Sequence, residues 1–358
     1  MQLFLPNTLH HLELSSSIAM APLTRRRCDR VHVPTEIMET YYAQRAGAGL
    51  IIAEGTSPSP NGAGYANMPG LYNTTQMEAW KKVTDRVHQA GGKIILQVMH
   101  TGRISHANNL DEGAQVLAPS AIPQAGEITT YELDKQPYPV PQAMSRTKVK
   151  ECIQEYAQCA RLAMDAGFDG IEIHGAHGYL PNQFFNESSN QRSDEYGGNR
   201  ENRLRFLMEV IEACGQAIGF QKVGLRISPF SYADTQENEN ELVALYTLLA
   251  MQLNDFPLAY LHLSHMGEAV GIKFELWKTI RKTYQGNLML CGDFTLETAE
   301  RAIQNGDANL IAFGRDYIAN PDLVERFKNN WPLAERDRTH WYTNGAQGLI
   351  DWPRYWEG

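Results

Sequence analysis

The sequence contains no CxxC pair, and its cysteines are few and widely separated. There are five of them, Cys28, Cys152, Cys159, Cys214 and Cys291. An odd number of scattered cysteines argues against a disulfide framework and against a structural zinc site. We therefore expect free thiols, which are typical of a protein in the reducing cytoplasm.

Long apolar segments and extended runs of lysine or arginine are also absent. No apolar run approaches the roughly 20 residues that a membrane-spanning helix needs, and the N-terminal "MQLFLPNTLHHLELSSS" lacks the features of a signal peptide. The formal net charge is −9, which argues against nucleic acid or an anionic membrane as the main partner. We expect a small-molecule ligand, and any anion site should be local.

Short apolar runs recur along the 358 residues, of which 43% are hydrophobic and 20% charged. The runs are "SIAMAP" from Ser17, "GLIIAE" from Gly49, "KIILQV" from Lys93, "GIEIH" from Gly170, "VGLRIS" from Val223, "YLHLSH" from Tyr260, "LMLCG" from Leu288 and "LIAFGR" from Leu310. Continuous apolar runs of this length are typical of strands buried on both faces of a parallel sheet.

Segments with helix-like ends separate these runs. Thr75 followed by Glu78 predicts a capping box, and Gly91 predicts the end of that helix. Thr295 is a candidate N-cap for a helix that stops at Gly306.

The final helix of the set is predicted to start with Asn320 as its N-cap and Pro321 as its first residue. Strand and helix alternate eight times, which predicts an α/β fold, a closed (β/α)8 barrel. We find no linker, so residues 1–358 are predicted to form a single domain.

One connection is far longer than a crossover requires. Its helix is predicted over 146–166, which leaves a segment of about residues 101–144 rich in Pro, Gly and Gln and containing the strand-like "EITTYEL". Because this segment follows the third strand, we expect it to cap the C-terminal face. Residues before Ser17 are predicted to form a hairpin that closes the opposite end.

Polar residues stand near the C-terminal ends of several predicted strands, where barrels of this kind keep their active sites. Gln97, His174 and Arg226 lie at the ends of the third, fourth and fifth runs, and Thr24 follows the first. An arginine in this position needs an anion or a polar ligand, because burying it unpaired is costly.

The loops after the last two strands suggest a phosphate site, as is common in this fold. Gly292 and Gly314 would let backbone N–H groups approach a phosphate, and Arg315 would add a charge-assisted contact. A ligand with a phosphate at one end and a polar body reaching Gln97 and Arg226 fits flavin mononucleotide (FMN).

Four motifs resemble one known family. They are "MAPLTR", "QVMHTGRISH", "IEIHGAHGYLPNQFF" with "SSNQRSDEYGG" and "ENR", and "AFGRDYIANPDL". The chain resembles the old yellow enzyme family of FMN-dependent ene-reductases along nearly its whole length. The subgroup it resembles most is that of the bacterial N-ethylmaleimide and nitrate-ester reductases.

The resemblance implies a set of cofactor contacts. They are Pro22, Leu23, Thr24, Gly55, Gln97, Arg226, Gly292, Asp293, Gly314 and Arg315. Thr24 would contact the flavin O4 region, and Gln97 and Arg226 its pyrimidine edge. Gly314 and Arg315, with the backbone around Gly292 and Asp293, would hold the phosphate.

The resemblance also implies catalytic roles. His174 and His177 would bind a carbonyl or nitro oxygen of the substrate, and Tyr179 would donate a proton. Tyr65 and Tyr342 would border the substrate pocket. NADPH or NADH would reload the flavin in the same pocket, so turnover would be ping-pong.

Two departures from the family pattern concern the pocket and the phosphate site. Met99 stands where relatives often carry tryptophan, which puts substrate preference in doubt, and the side chain of Asp293 is expected to point away from the phosphate. A zinc site at "HGAH" lacks a third ligand, so no metal is predicted.

Two other functions remain open from the sequence. The chain could be a flavin-binding barrel with little turnover, or a flavin-free phosphate-binding lyase or isomerase. The sequence leaves open whether the chain is a monomer or a homodimer.

Overall fold

Eight parallel strands close into a barrel in the computed structural model, which describes residues 1–132, 134–264 and 272–357. In chain order, the barrel strands are Ile18–Met20, Leu50–Ile52, Ile94–Val98, Ile171–His174, Val223–Ile227, Tyr260–Leu263, Leu288–Cys291 and Leu310–Phe313. Each strand hydrogen-bonds to its neighbours in sequence, and the eighth pairs with the first. The (β/α)8 prediction is therefore confirmed, although His265, the last residue of the sixth predicted run, lies outside the described residues.

Helices follow the strands and cover the outside of the barrel. They are Glu36–Gln44, Thr74–Gln89, Arg146–Asp165, Leu180–Phe185, Arg200–Ile218, Glu239–Gln252, Ile272–Thr283, Leu296–Gln304, Arg315–Ala319 and Leu323–Asn329. Their apolar faces pack against the outward side chains of the strands, as Val149 and Ile171 do in the main core. The predicted helix over 146–166 is confirmed to within its last residue.

Two predicted helix starts are wrong. Asn73 caps Thr74–Gln89 by accepting a hydrogen bond from Gln76 N, so Thr75 lies inside the first turn. Leu323–Asn329 begins after Asp322, and Asn320 instead ends the preceding short helix. Several side chains that can cap stand next to one another at both places, and the local pattern does not select among them.

The other predicted caps are confirmed. Thr295 accepts a hydrogen bond from Thr298 N at the start of Leu296–Gln304. Gly91 and Gly306 follow the ends of their helices with φ of 81° and 74°, the left-handed conformation that glycine adopts without a steric penalty.

An antiparallel hairpin closes the N-terminal end of the barrel, as predicted. Its strands are Asn7–Leu9 and Leu12–Leu14. Leu9, Leu12 and Leu14 form one buried cluster with side chains from inside the barrel, among them Leu50 and Ile95. The floor of the barrel is therefore apolar and closed.

Alternation along the strands separates the outer core from the barrel interior. In the fourth strand Ile171 and Ile173 belong to the outer core, so Glu172 and His174 point inward. The pairing register sets Glu172 beside Gln97 and His174 beside Arg226. The upper interior is thus polar above an apolar floor.

The long segment after the third strand caps the C-terminal face. It contains the paired strands Glu127–Thr129 and Lys135–Pro137 and the parallel pair Leu117–Ala118 and Gln142–Ala143. Asn109 Nδ2 donates to Gly64 O, in the loop after the second strand, at 3.0 Å. This contact fixes the cap next to the polar end of the barrel.

In the described part of the chain, none of the helices combines the length and apolar character needed to cross a bilayer. That residues 1–358 make a single domain stays a prediction.

Candidate active site

Two imidazoles and a phenol meet at the end of the fourth barrel strand. The ring centroids of His174 and His177 are 5.4 Å apart, and those of His174 and Tyr179 are 4.9 Å apart. His174 is the last residue of the strand and faces inward. The chain then turns sharply at His177, whose φ is +55°, and Tyr179 caps the short helix Leu180–Phe185.

The rings are held by neighbours from other loops. His177 Nε2 lies 2.8 Å from Ser264 Oγ, after the sixth strand, and Tyr179 Oη lies 3.0 Å from Tyr65 Oη, after the second. His174 Nδ1 is buried and has no hydrogen-bond partner among the described residues. One ring nitrogen of His174 is therefore unpaired among these residues, while the side chain itself lines the cavity described below.

Burial fixes the protonation states of two of these groups. Desolvation, followed by the positive charge of Arg226, lowers the pKa of His174 well below its ordinary value. Desolvation, followed by the nearby Tyr65, raises the pKa of Tyr179 well above its ordinary value. Near neutral pH, His174 is a neutral imidazole and Tyr179 is a protonated phenol.

A buried carboxylate organises the interior beneath these rings. Glu172 Oε1 accepts a hydrogen bond from Gln97 Nε2 at 2.8 Å, and Glu172 Oε2 accepts one from Tyr260 Oη at 3.0 Å. His262 Nδ1 lies 2.8 Å from Glu172 Oε2. The pKa of Glu172 is lowered because its contact with His262 and the charge of Arg226 outweigh the opposing effect of desolvation. The carboxylate thus stays ionised and orients the amide of Gln97.

Arg226 supplies the main positive charge of the interior. Its side chain is 7% exposed, and its Nη2 lies 3.9 Å from Cys291 Sγ. Its Nε is buried and has no hydrogen-bond acceptor among the described residues. A buried guanidinium with an unmatched donor is costly unless a ligand completes its hydrogen bonds.

Two cavities open at this end of the barrel and share Pro22, Leu23, His177 and Arg226. The smaller has a volume of about 300 Å³ and is lined by Pro22, Leu23, Thr24, Arg26, Tyr65, Gln97, Met99, His174, His177, Tyr179, Arg226 and Tyr342. The larger, of about 590 Å³, adds Gly292, Asp293, Gly314 and Arg315. The structure thus gathers the predicted site residues into two joined spaces, except for Gly55, which lines neither.

Comparison with known proteins identifies the family to which the chain belongs. The model of the NADH:flavin oxidoreductase / NADH oxidase family matches residues 2–334. The chain belongs to this family. It is 42% identical over 344 residues to a probable flavin mononucleotide-dependent alkene reductase of Leishmania infantum, covering 95% of this chain and 94% of the relative. It is 39% identical over 371 residues to 12-oxophytodienoate reductase 7 of Oryza sativa subsp. japonica, covering 98% and 94%.

Solved structures of this flavin oxidoreductase family have the same fold. Morphinone reductase in complex with tetrahydroNAD superposes with a TM-score of 0.92 at 37% identity, covering 99% of this chain and 98% of that one. The old yellow enzyme homologue from Zymomonas mobilis gives a TM-score of 0.92 at 40% identity, covering 99% of both chains. The resemblance to old yellow enzyme is confirmed. The finer match to the N-ethylmaleimide and nitrate-ester reductases stays a prediction.

The protein is accordingly an oxidoreductase that uses FMN and a nicotinamide nucleotide as electron donor, and the flavin-free lyase alternative is wrong. The residues present fit the cofactor. Arg226 lines both cavities and has an unmatched Nε donor, and the larger cavity continues to the glycines at 292 and 314. We expect Gln97 and Arg226 to hold the polar edge of the flavin ring, with the phosphate near Gly314.

The phosphate end contains an exposed ion pair. Asp293 Oδ1 lies 3.8 Å from Arg315 Nη1, and the prediction that the Asp293 side chain points away from the phosphate stays a prediction. The opposite charges of two neighbouring loops attract, which explains the contact. Both side chains are more than half exposed, so the ion pair contributes little stability. The role of Arg315 in holding phosphate stays a proposal.

Met99 and Gly55 approach each other closely at the cavity wall. A Cβ at position 55 would lie 2.5 Å from Met99 Cε, closer than packed atoms allow. Gly55 therefore makes room for the side chain that lines the smaller cavity, and its predicted contact with the cofactor stays a prediction. Met99 is 1% exposed.

Three residues near the cavities were not identified from the sequence. Glu172 had a visible signal, since it is a carboxylate inside an otherwise apolar strand run. Ser264 and Arg26 had none of comparable strength. The first follows its strand as an ordinary small residue, and the second stands among three consecutive arginines.

One group outside the cavities has the residue types of a metal site. Ligand atoms of His100, Cys152 and Glu155 lie within 4.8 Å of one another. Desolvation lowers the pKa of His100 to about 3 and raises that of the Cys152 thiol. The prediction that the protein binds no metal stays a prediction.

Proposed function

We propose that this protein reduces the C=C bond of α,β-unsaturated carbonyl compounds, taking electrons from NADPH or NADH. The observation that carries the proposal is the arrangement at the fourth strand end, where His174, His177 and Tyr179 line one cavity with Arg226. The alkene reductase relative supports the same reaction class. Nitro compounds and nitrate esters present a similar oxygen and are further candidate substrates.

The histidine pair would bind the carbonyl oxygen. When bound, FMN supplies the redox chemistry, accepting a hydride from the nicotinamide nucleotide and delivering it to the β-carbon of the alkene. Negative charge then develops on the oxygen, and donors aimed at it lower the barrier. Loss of one such donor typically costs about 10²–10³ in rate. His174, which lines the cavity as a neutral imidazole, suits this role.

Tyr179 would complete the reaction by protonating the α-carbon. Its raised pKa keeps the phenol protonated across the physiological range, and its Oη lies in the same cavity as the histidines. Proton donation by a positioned side chain typically contributes about 10²–10⁴ in rate. The hydrogen bond to Tyr65 Oη orients the phenol.

The size of the cavity favours a ping-pong sequence. The smaller cavity, of about 300 Å³, would take part of the flavin as well as the substrate, because Gln97 and Arg226 line it together with His174. The remaining space holds one ring-sized ligand at a time. The nicotinamide would therefore leave before the alkene enters. We place the enzyme in the cytoplasm, because all five cysteines are unpaired. It would act there as a monomer or a homodimer.

An anaerobic visible spectrum tests the proposal. The purified protein is measured before and after addition of NADPH or NADH, and again after 2-cyclohexenone. We expect a flavin band that bleaches with the nucleotide and returns with the enone. A band that bleaches and stays bleached would refute the enone reductase and favour a flavin protein with another acceptor or little turnover.

The His174→Ala/His177→Ala variant separates binding from structure. We expect it to retain flavin while the apparent affinity for the enone falls. Loss of the flavin instead would show that the pair supports the barrel rather than the substrate.

A further inference from the structure

Three consecutive arginines follow the first barrel strand, and they point in two directions. Arg25 and Arg27 are 1% and 3% exposed. Arg25 donates to Trp341 O at 3.1 Å, and Arg27 donates to Gly345 O at 2.9 Å. These two therefore hold the C-terminal segment. Arg26 faces the opposite way and lines the smaller cavity.

The Arg26 guanidinium lies between two aromatic rings. Its Cζ is 4.6 Å from the ring centroid of Tyr65 and 5.1 Å from that of Tyr342. The backbone at Arg26 has φ of +58°, a left-handed conformation that an arginine rarely adopts. This conformation is what turns Arg26 away from its two neighbours. Among the described residues, no carboxylate or carbonyl pairs with its side chain.

Among the residues that the structure describes, the charges that line the smaller cavity are all of one sign. Arg26 and Arg226 are the cations, and this described lining contains no aspartate or glutamate. The two carboxylates in the described lining of the larger cavity are already paired, Asp293 with Arg315 at 3.8 Å and Asp316 with Arg336 at 2.8 Å. The proposed flavin takes Arg226, so Arg26 is left as a separate cation of the lining.

We propose that Arg26 is an anion-recognition residue of the substrate cavity, which makes the enzyme selective for ligands that carry a carboxylate or phosphate beyond the group bound at His174 and His177. A planar guanidinium offers paired N–H donors that match such oxygen anions. Stacking between Tyr65 and Tyr342 keeps the fork in place without using those donors.

The proposal rests on the proposed function, because the reacting carbonyl must be at the histidines. Tyr65 connects the histidine site with Arg26. Its hydroxyl contacts Tyr179 Oη and its ring supports Arg26, so the anion lies about one ring beyond the proton donor. Two ligand sources share this chemistry, namely the carboxylate of an acidic alkene and a phosphate of the nicotinamide nucleotide.

The test compares an acid with its ester. The holoenzyme, reduced anaerobically, is mixed in a stopped-flow instrument with 7-oxo-5-octenoate or with its methyl ester, and flavin reoxidation is followed against concentration. For Arg26→Gln we expect the apparent Kd of the acid to rise by about tenfold or more, the typical value of a hydrogen bond to a charged group. The ester should react as in the parent protein, and added salt should weaken binding of the acid alone.

A matched variant controls for the loss of one surface cation. Arg30 also lies over a tyrosine, Tyr131, at 5.3 Å, but it does not line the cavity. Arg30→Gln should leave both the acid and the ester unchanged. Arg26→Lys should keep part of the preference for the acid, since it keeps the charge and loses the fork. Flavin content and Tm verify that each variant is folded.

The reductive half-reaction identifies the source of the anion. If Arg26→Gln weakens NADPH or NADH binding and leaves the acid unchanged, the anion is a nucleotide phosphate. If neither half-reaction changes, or if the ester and the acid weaken equally, the proposal is wrong and Arg26 only supports Tyr65. Binding of acid and ester to the oxidised enzyme, read as a perturbation of the flavin spectrum, tests Arg26 even if no enone is reduced.

Discussion

At the scale of single residues, Tyr179 and Tyr65 have the same functional group but different positions. Their hydroxyl oxygens are 3.0 Å apart, yet Tyr179 is the one whose ring contacts His174. The proposed proton donor is therefore Tyr179, and Tyr65 is a positioning residue.

Tyr179→Phe should slow reoxidation of the flavin by 2-cyclohexenone by about 10²-fold or more, because a positioned acid is lost. Reduction by NADPH or NADH, which needs no proton from this group, should keep its rate. Stopped-flow measurement of the two half-reactions separates these effects. Tyr65→Phe is the matched control and should slow reoxidation much less. Equal losses in both half-reactions would show that Tyr179 shapes the pocket rather than giving a proton.

Glu172 acts through Gln97 and Arg226 rather than on a substrate. Its carboxylate accepts hydrogen bonds from Gln97 and Tyr260 and stays ionised near Arg226. Glu172→Gln replaces a carboxylate oxygen by an N–H group that faces the donors of Gln97 and Tyr260. Because these donors lose an acceptor, we expect a loss of about 1–3 kcal/mol in stability and faster release of FMN. Flavin fluorescence after dilution measures the release. Unchanged FMN retention would show that Gln97 and Arg226 are held by other contacts.

The sequence predicted residues of the site where a polar side chain ends an apolar run, as with His174 and Arg226. It could not reveal which interior groups bond to each other. The register that sets Glu172 beside Gln97 depends on how strands far apart in sequence pair, and single-sequence patterns do not contain that information. The orientation of the Arg26 side chain depends on one backbone φ, which the sequence likewise does not predict.

At the scale of elements, the strands were predictable because each is a short apolar run buried on both faces. The helix starts were less so. "NTT" before Gln76 offers three residues that can cap, and one contact of the folded chain decides among them, since Tyr72 N donates to Gln76 Oε1. Gln76 is thereby fixed as the third residue of the helix, with Asn73 as the cap.

Asn73→Ala should destabilise the protein by about 1 kcal/mol, because the cap of Thr74–Gln89 is lost. Thr75→Ala should change stability by only a few tenths of a kcal/mol, since Thr75 is exposed inside the helix. Chemical denaturation of both variants at one FMN concentration gives the comparison. If Thr75→Ala lost more stability than Asn73→Ala, Thr75 would be the cap, as the sequence alone predicts.

At the scale of the whole molecule, the first loop of the barrel joins the two ends of the chain. Arg25 and Arg27 bind carbonyl oxygens of the segment around Trp341 and Gly345. The same loop meets the second strand, because Arg25 N donates to Glu54 Oε2 at 3.0 Å. Glu54 is 1% exposed, and Tyr42 Oη donates to its other oxygen at 3.1 Å. The charge of this carboxylate therefore affects the packing of several segments together.

Burial raises the pKa of Glu54 from 4.5 to about 6, although its hydrogen bonds from Arg25 N and Tyr42 oppose the shift. The folded state thus binds the proton more tightly than the unfolded state, so stability falls as pH rises through the window from about 4.5 to 6. At 1.36 kcal/mol per pKa unit, the ionised carboxylate costs about 2 kcal/mol above that window. Glu54→Gln carries no such cost, so its stability relative to the parent should rise by about 2 kcal/mol between pH 4 and 7. Denaturation curves of both proteins at the same FMN concentration measure the difference in their free energies of unfolding at each pH. The contributions of the other titrating groups cancel in this difference, because both proteins contain them. Glu297→Gln is the control, because it also removes one carboxylate but at an exposed position. Its stability relative to the parent should not rise between pH 4 and 7. If the relative stability of Glu54→Gln is also independent of pH, the buried network fully compensates the charge of Glu54.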